Sequence, residues 1–175
     1  MKMKFYKAII FLSILIVIFG KKHSLKKVDV KKSTLYVAID DTLTSIKING
    51  NDIIIPQQDK VGWTKTRKYD LGLLPGDTIS ISGENLNKSK FTNSNPAGIM
   101  VTLFYVAPDG KKTKILSDDI NWKCDGEQPL NLKKNGDKGK LWNRVWQNID
   151  KEAVIIWGKK KNPTTTCTYT ITCEP

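Results

Sequence analysis

The chain has 175 residues, which is enough for one globular domain with its own core plus an appendage. Its net charge of +12 is uneven, because residues 1–32 hold nine lysines and one acidic residue while the remainder is close to balance. A duplex-binding domain concentrates positive charge on its folded part. The distribution therefore argues against nucleic acid as a partner and favours a membrane surface.

The first element is the apolar segment AIIFLSILIVIFG at residues 8–20, which has lysines on both sides. A cleaved secretory signal and an uncleaved signal-anchor both contain such a segment. Gly20 suits a cleavage site, but Ile18 two positions earlier is not small, and lysines follow directly. Lysine stems at both ends also extend the effective length of a short span. Of these two interpretations, the sequence favours the anchor.

This interpretation divides the chain into three parts. We expect residues 5–20 to form a hydrophobic anchor helix that crosses the membrane once, residues 21–33 a basic linker, and residues 34–175 the folded domain. The flanking lysines leave the orientation open, so the domain is expected at a cell surface, in a lumen or in a virion.

Short stretches that alternate apolar and polar residues recur from Thr34 onward, at the spacing of an all-β sandwich. Asn49-Gly50 predicts a tight hairpin, and Pro75-Gly76 predicts a second turn. The run from Ile99 to Val106 is too short to span a membrane and ends at a Pro-Asp-Gly turn, so it is predicted to be a central strand. Residues 126–140 show no periodicity and are expected to form a surface loop.

The three cysteines have no metal-binding spacing. If the tail CTYTITC is one strand, Cys167 and Cys173 lie ~20 Å apart, too far for a disulfide. At most one of them can therefore bond Cys124.

Five pieces in this order resemble the galactose-binding-domain-like jelly rolls, which serve as sugar-binding modules beside bacterial glycoside hydrolases: AIDDTLTSIKING, YDLGLLPGDTISISGEN, NPAGIMVTLFY, DGKKTKILSDDINWK and AVIIWG. The resemblance covers residues 34–157. It implies a jelly-roll-like antiparallel β-sandwich that binds ligands through variable loops. In such a fold, residues 95–98 are the corner where the chain turns into the central strand.

The residues give little support to catalysis. The single histidine, His23, lies in the linker, so the folded part has no Ser-His-acid or Cys-His arrangement. Two acidic pairs, Asp40-Asp41 and Asp118-Asp119, favour turn formation by hydrogen bonds to local amides. They are weak candidates for calcium, which takes six to eight oxygen ligands. We therefore expect no enzyme and no cofactor, with calcium as the one possible ion.

The tryptophans supply the candidate recognition surface. Trp122 and Trp157 lie in apolar strand contexts and are expected in the core. Because aromatic rings stack on sugars and polar groups hydrogen-bond to them, the stretch LWNRVWQN is the best candidate site. If it is helical, two of its rings share one face. The alternative is that these rings pack over the end of the sandwich. The candidate ligand-binding residues are Trp142, Asn143, Arg144, Trp146 and Trp63.

Together these observations predict a non-catalytic, membrane-anchored β-sandwich that binds a glycan. The alternative is a structural protein that links a membrane to a protein coat, such as a minor capsid protein of a large virus, with neighbouring subunits as partners.

Overall fold

The computed structural model of the chain describes residues 29–62, 64–86, 97–134, 146–159 and 162–172. These ranges contain one short helix, α1 (Gln57–Lys60), and eleven strands. The strands are β1 (Lys32–Asp40), β2 (Thr42–Ile48), β3 (Asn51–Asp52), β4 (Thr66–Gly72), β5 (Thr78–Glu84), β6 (Gly98–Val106), β7 (Lys112–Leu116), β8 (Lys123–Cys124), β9 (Leu130–Lys134), β10 (Val154–Trp157) and β11 (Thr164–Thr170).

The strands form two antiparallel sheets. Sheet A has the order β4-β1-β6-β10-β9, and β7 also pairs with β6. Sheet B has the order β3-β2-β5-β11-β8. Side chains from both sheets meet in one large apolar cluster. The predicted all-β, antiparallel character is therefore confirmed. Within the described ranges no helix is long and apolar enough to cross a membrane, and the proposed anchor at residues 5–20 lies outside those ranges.

The predicted central strand is β6, which pairs with β1 on one side and with β7 and β10 on the other. It is buried without interruption from Gly98 to Leu103. A strand with one solvated face alternates in burial, so this run requires cover on both faces. The inner face packs on the main core, and the outer face packs on a second apolar cluster.

The turns follow the predicted chemistry. Asn49 and Gly50 both have positive φ, at 51° and 81°, as a two-residue hairpin between β2 and β3 requires. Gly76 has a φ of 90°, and its N–H donates to the carbonyl of Ile171 at 2.8 Å. That bond attaches the turn after β4 to the end of β11.

The main core contains Trp122 and Trp157, as the sequence predicts. Each indole N–H has a backbone partner: Trp122 donates to the carbonyl of Leu116 at 2.9 Å, and Trp157 to that of Asn162 at 3.2 Å. Because the polar atom of each ring is satisfied, both rings can be buried without leaving an orphaned donor.

A disulfide joins Cys124 of β8 to Cys167 of β11, which are direct neighbours across the two strands. The prediction that Cys167 does not pair with Cys173 is therefore confirmed. The tail strand is shifted from its predicted position, because it starts at Thr164 and ends at Thr170.

The outer face of sheet A carries the second cluster, which we name the outer cluster. It consists of Ala38, Met100, Trp146, Ile149, Ala153 and Ile155. The segment that leads into β10 supplies Trp146 and Ile149, and it is fastened where the backbone N–H of Asp150 donates to Thr102 Oγ1 at 2.8 Å. This segment therefore covers a face that would otherwise be open to solvent.

Candidate binding cleft

A cleft of about 630 Å³ opens between the β7 edge of sheet A and the end of β11 in sheet B. It exists because β8 is only two residues long and pairs with Cys167 and Thr168 alone. On that side Tyr169, near the end of β11, and Thr172, just after the strand, therefore line the cleft. Among the lining residues are Tyr105, Lys111, Asp118, Asn121, Tyr169 and Thr172.

One wall of the cleft is aromatic. The half-buried ring of Tyr169 packs against Trp122, with ring centroids 5.4 Å apart and an interplanar angle of 36°. Trp122 is itself buried and hydrogen-bonded. The orientation of Tyr169 is therefore supported from beneath by a core residue, which is how a rigid stacking surface is built.

The β7–β8 loop forms a second, polar wall. The Asp118 carboxylate accepts hydrogen bonds from the backbone N–H groups of Ile120 and Asn121, at 2.9 and 2.6 Å, and from Asn121 Nδ2 at 2.8 Å. These bonds confirm the predicted turn-forming role of Asp118. They also orient the amide of Asn121, whose oxygen has no protein partner among the described residues and can accept a hydrogen bond from a ligand.

The rim is the tight turn between β6 and β7. Ala107 N–H donates to the carbonyl of Lys111 at 2.9 Å, and the Asp109 carboxylate accepts from the N–H of Lys111 at 2.8 Å. The lining contains two lysines, Lys111 and Lys114, and two aspartates. This balance of charge favours a polar ligand without a large net charge.

The acidic pairs do not come together. The Asp41 carboxylate accepts from the N–H of Leu86 at 3.0 Å, and Asp40 is buried at the end of β1. In the part of the chain that the structure describes, no three His, Cys, Asp or Glu side chains are grouped to hold a metal ion. The weak calcium candidates Asp40, Asp41, Asp118 and Asp119 are therefore two separate pairs rather than one site.

Four of the five predicted ligand-binding residues, Trp63, Trp142, Asn143 and Arg144, lie outside the described residues. The fifth, Trp146, is only 2% exposed and belongs to the outer cluster. The expectation that its ring is open to a ligand is wrong. The small side chain of Ala38 and the flexible one of Met100 provide the space that the indole fills.

The buried charge of Arg67, near the start of β4, has a structural role. Arg67 is almost fully buried and donates to the backbone carbonyls of Asp59, Lys65 and Gly62, the last at 2.9 Å. Burial lowers the pKa of Arg67, while burial and the charge of Asp59 raise the pKa of Tyr69 to about 12. Arg67 therefore fastens the loop before β4, and neither side chain exchanges protons near neutral pH.

Sequence reasoning missed Tyr105, Asn121 and Tyr169. The alternation around Tyr169 predicts a strand, but it does not show that the space beside this residue is left open. The space is open because β8 is short, and a two-residue strand has no detectable periodicity. Comparison with protein-family models, curated proteins and solved structures finds no match for this chain.

Proposed function

We propose that this chain is a non-catalytic, membrane-tethered β-sandwich module that recognises a glycan in the cleft. The observation that carries this proposal is the half-buried Tyr169 ring, held by Trp122 at the wall of a cleft that polar groups also line. A sugar presents an apolar ring face and a rim of hydroxyls. An aromatic ring beside amide, hydroxyl and amine groups matches both.

Size and polarity support the same class of ligand. Small-molecule sites commonly measure ~300–1,000 Å³, and they combine apolar lining with a few placed polar groups. The cleft has about 630 Å³, with Tyr105 and Tyr169 as apolar lining and Asn121 and Thr172 as hydrogen-bonding groups. One or two sugar units fit such a space. The resemblance of the sequence to galactose-binding jelly rolls favours a neutral sugar.

The residues of the chain support a binding rather than a catalytic role. The single histidine is in the linker, and the carboxylates of Asp109 and Asp118 at the cleft both accept hydrogen bonds from local N–H groups. A glycosidase needs two carboxyl groups placed across the scissile bond. A general base needs a lone pair directed at the substrate, and the turn occupies three of the roughly four acceptor sites of the Asp118 carboxylate.

The first test is binding of the full-length protein in detergent micelles to a glycan array, followed by calorimetry with the glycan that binds. We expect Thr172→Trp to weaken binding about tenfold or more, since the new ring fills the mouth of the cleft and a tenfold loss is ~1.4 kcal/mol. Thr172 is exposed, so the unfolding midpoint should not change.

The matched control is Thr64→Trp, which places the same ring at an exposed position outside the cleft lining. It should leave both affinity and stability unchanged. Equal affinities for the two variants would contradict the cleft as the site. If Trp142→Ala then abolished binding without loss of stability, the stretch around Trp142 would be the site instead.

The tether is tested separately. Because the segment at 8–20 is expected to stay attached, the full-length protein should sediment with membranes and resist carbonate extraction. A mature protein whose first residue is Lys21 would instead identify a cleaved signal.

A structural role in assembly is the second candidate, and one observation favours it. Tyr36 and Phe104 form an edge-to-face pair on the outer face of sheet A, with centroids 6.0 Å apart, and Phe104 is 46% exposed. A partly exposed aromatic pair is a suitable anchor for a neighbouring subunit. Phe104→Ser should then prevent co-purification of a coat partner, while glycan binding should be unaffected.

A further inference from the structure

The folded domain is joined to its N-terminal segment at one end of the cleft. The side chain of Val30 packs over Gly72, where a Cβ atom would lie 2.9 Å from Val30 Cγ1. Ser33 Oγ accepts a hydrogen bond from the N–H of Val106 at 3.0 Å. Val106 is followed by Ala107, which lines the cleft. The start of β1 is therefore fastened directly beside the cleft rim.

The end of β4 and the turn that follows it lie at the same end of the sandwich as this rim. Lys32 pairs with Gly72 in the register of β1 and β4, and the turn after β4 carries Pro75 into the cleft lining. β1 is nine residues long, so the opposite end of the sandwich, at Asp40, lies roughly 26 Å away at ~3.3 Å per residue. The cleft therefore belongs to the end from which the linker departs.

The linker between the apolar segment and the sandwich is short. Residues 21–28, which precede the first described residue, span at most ~29 Å even when fully extended. Their lysines are attracted to anionic headgroups. The end of the sandwich that carries the cleft is thus held within a linker's length of the membrane surface.

From this placement we propose that the cleft faces the bilayer that carries the chain and takes the sugar headgroup of a lipid in that bilayer. This inference rests on the proposed function, namely a tethered module with a sugar-binding cleft. It adds that the ligand is displayed on the same membrane, rather than on an opposing surface or free in solution.

Side chains at this end suit contact with a lipid surface. Ile120, beside Asn121 of the cleft, is 75% exposed, and Val30 is 46% exposed. The side chain of Lys32 is also largely exposed, and Lys112 at the start of β7 is exposed. Apolar tips with adjacent lysines are the combination that binds at a headgroup boundary.

The first experiment measures orientation and needs no ligand. The full-length protein is reconstituted in phosphatidylcholine vesicles with Cys173→Ser, and one fluorophore is placed at Lys112→Cys or, as the matched control, at Gln58→Cys. Lys112 lies at the cleft end, and Gln58 lies at the far end, where its carbonyl accepts from Lys65 before β4. A short-range quencher on lipid headgroups should quench the Lys112 label about threefold more, given the ~26 Å between the ends.

The second experiment separates the two sources of the sugar. Galactosylceramide in the protein's own vesicles should weaken binding of soluble methyl galactoside, because the lipid sugar already occupies the cleft. Galactosylceramide in separate vesicles should neither weaken that binding nor cluster the two vesicle populations. The variant Thr172→Trp should remove the effect of the lipid sugar.

The outcomes distinguish this inference from the proposed function. Equal quenching at the two labels, or clustering with separate galactosylceramide vesicles, overturns the membrane-facing cleft while leaving glycan recognition intact. Stronger quenching at Lys112 without any binding of methyl galactoside supports the orientation and contradicts galactose as the recognised sugar.

Discussion

Around residues 98–103 of β6 both faces of sheet A are buried, but by different means. The inner face packs against sheet B, with Trp122 and Trp157 in a cluster that both sheets contribute to. The outer face is covered by one segment of chain, which brings Trp146 and Ile149 onto Ala38 and Met100. The inner face is thus closed by regular structure and the outer face by an irregular segment.

The two faces of sheet A are specified by the sequence in different ways. The inner core is specified by the alternation of apolar and polar residues in many strands, so no single residue decides whether this core forms. The outer cluster depends on a few residues far apart in the chain, among them Ala38, Met100 and Trp146. Loss of the outer cluster should therefore leave the sandwich folded, and loss of an inner tryptophan, which packs between both sheets, should cost more stability.

The largest effect is expected from the inner face. Trp157→Ala should destabilise the protein by ~3–5 kcal/mol, because it removes a fully buried ring and leaves a cavity between two sheets that cannot collapse easily. Urea denaturation of the full-length protein in micelles, followed by far-ultraviolet circular dichroism, measures the change. A loss below about 1 kcal/mol, the usual scale of a single mutation, would mean that the core is much looser than the structure indicates.

Much of the fold could be predicted because its signals are local. The positive φ that the hairpin needs at Asn49 and Gly50 suits just those residue types, and Ile99 to Val106 is apolar enough for a strand covered on both sides. The burial of Trp122 and Trp157 followed from their strand contexts.

The candidate site was not predicted because its causes are not local. The cleft depends on the shortness of β8 and on Trp122 lying beneath Tyr169, 47 positions along the chain. The sequence assigns Trp146 to a ligand surface because the stretch LWNRVWQN combines aromatic rings with polar side chains that can hydrogen-bond to a sugar. Trp146 is buried because it fills the volume above Ala38 and Met100. The residues close to Trp146 in the sequence do not indicate that this volume exists.

A smaller effect is expected on the outer face. Trp146→Ala should cost about 3 kcal/mol, the low end of the range for a buried aromatic, since an irregular segment relaxes around the gap more readily than two sheets do. The same denaturation experiment measures this loss, and glycan affinity should be unchanged because Trp146 does not line the cleft. A loss as large as that of Trp157→Ala would make the two faces energetically equal. Unchanged stability would return Trp146 to the candidate recognition residues.

The smallest effect is expected where the outer segment is fastened to sheet A by charge. The hydrogen bond and charge of Lys114, together with the N–H of Glu152, lower the pKa of Asp150. A carboxyl group whose pKa is lower in the folded state stabilises it above the unfolded pKa of ~3.9 and loses that effect as the pH falls through the folded value. Asp150→Asn should therefore cost at most about 1 kcal/mol at pH 7, because the pair is partly solvated.

Urea denaturation of Asp150→Asn and of the unmodified protein at a series of pH values tests this expectation. The two stabilities should converge as the pH falls below ~3.9, the pKa of an unperturbed aspartate. Lys114→Met serves as the matched control, because it removes the largest cause of the lowered pKa and should flatten the pH dependence to a similar degree. If Asp150→Asn lost the same stability at the lowest pH as at pH 7, the ion pair would not be what fastens the segment. The segment would then be held on the outer face of sheet A by the hydrogen bond from the backbone N–H of Asp150 to Thr102 Oγ1, which the substitution retains.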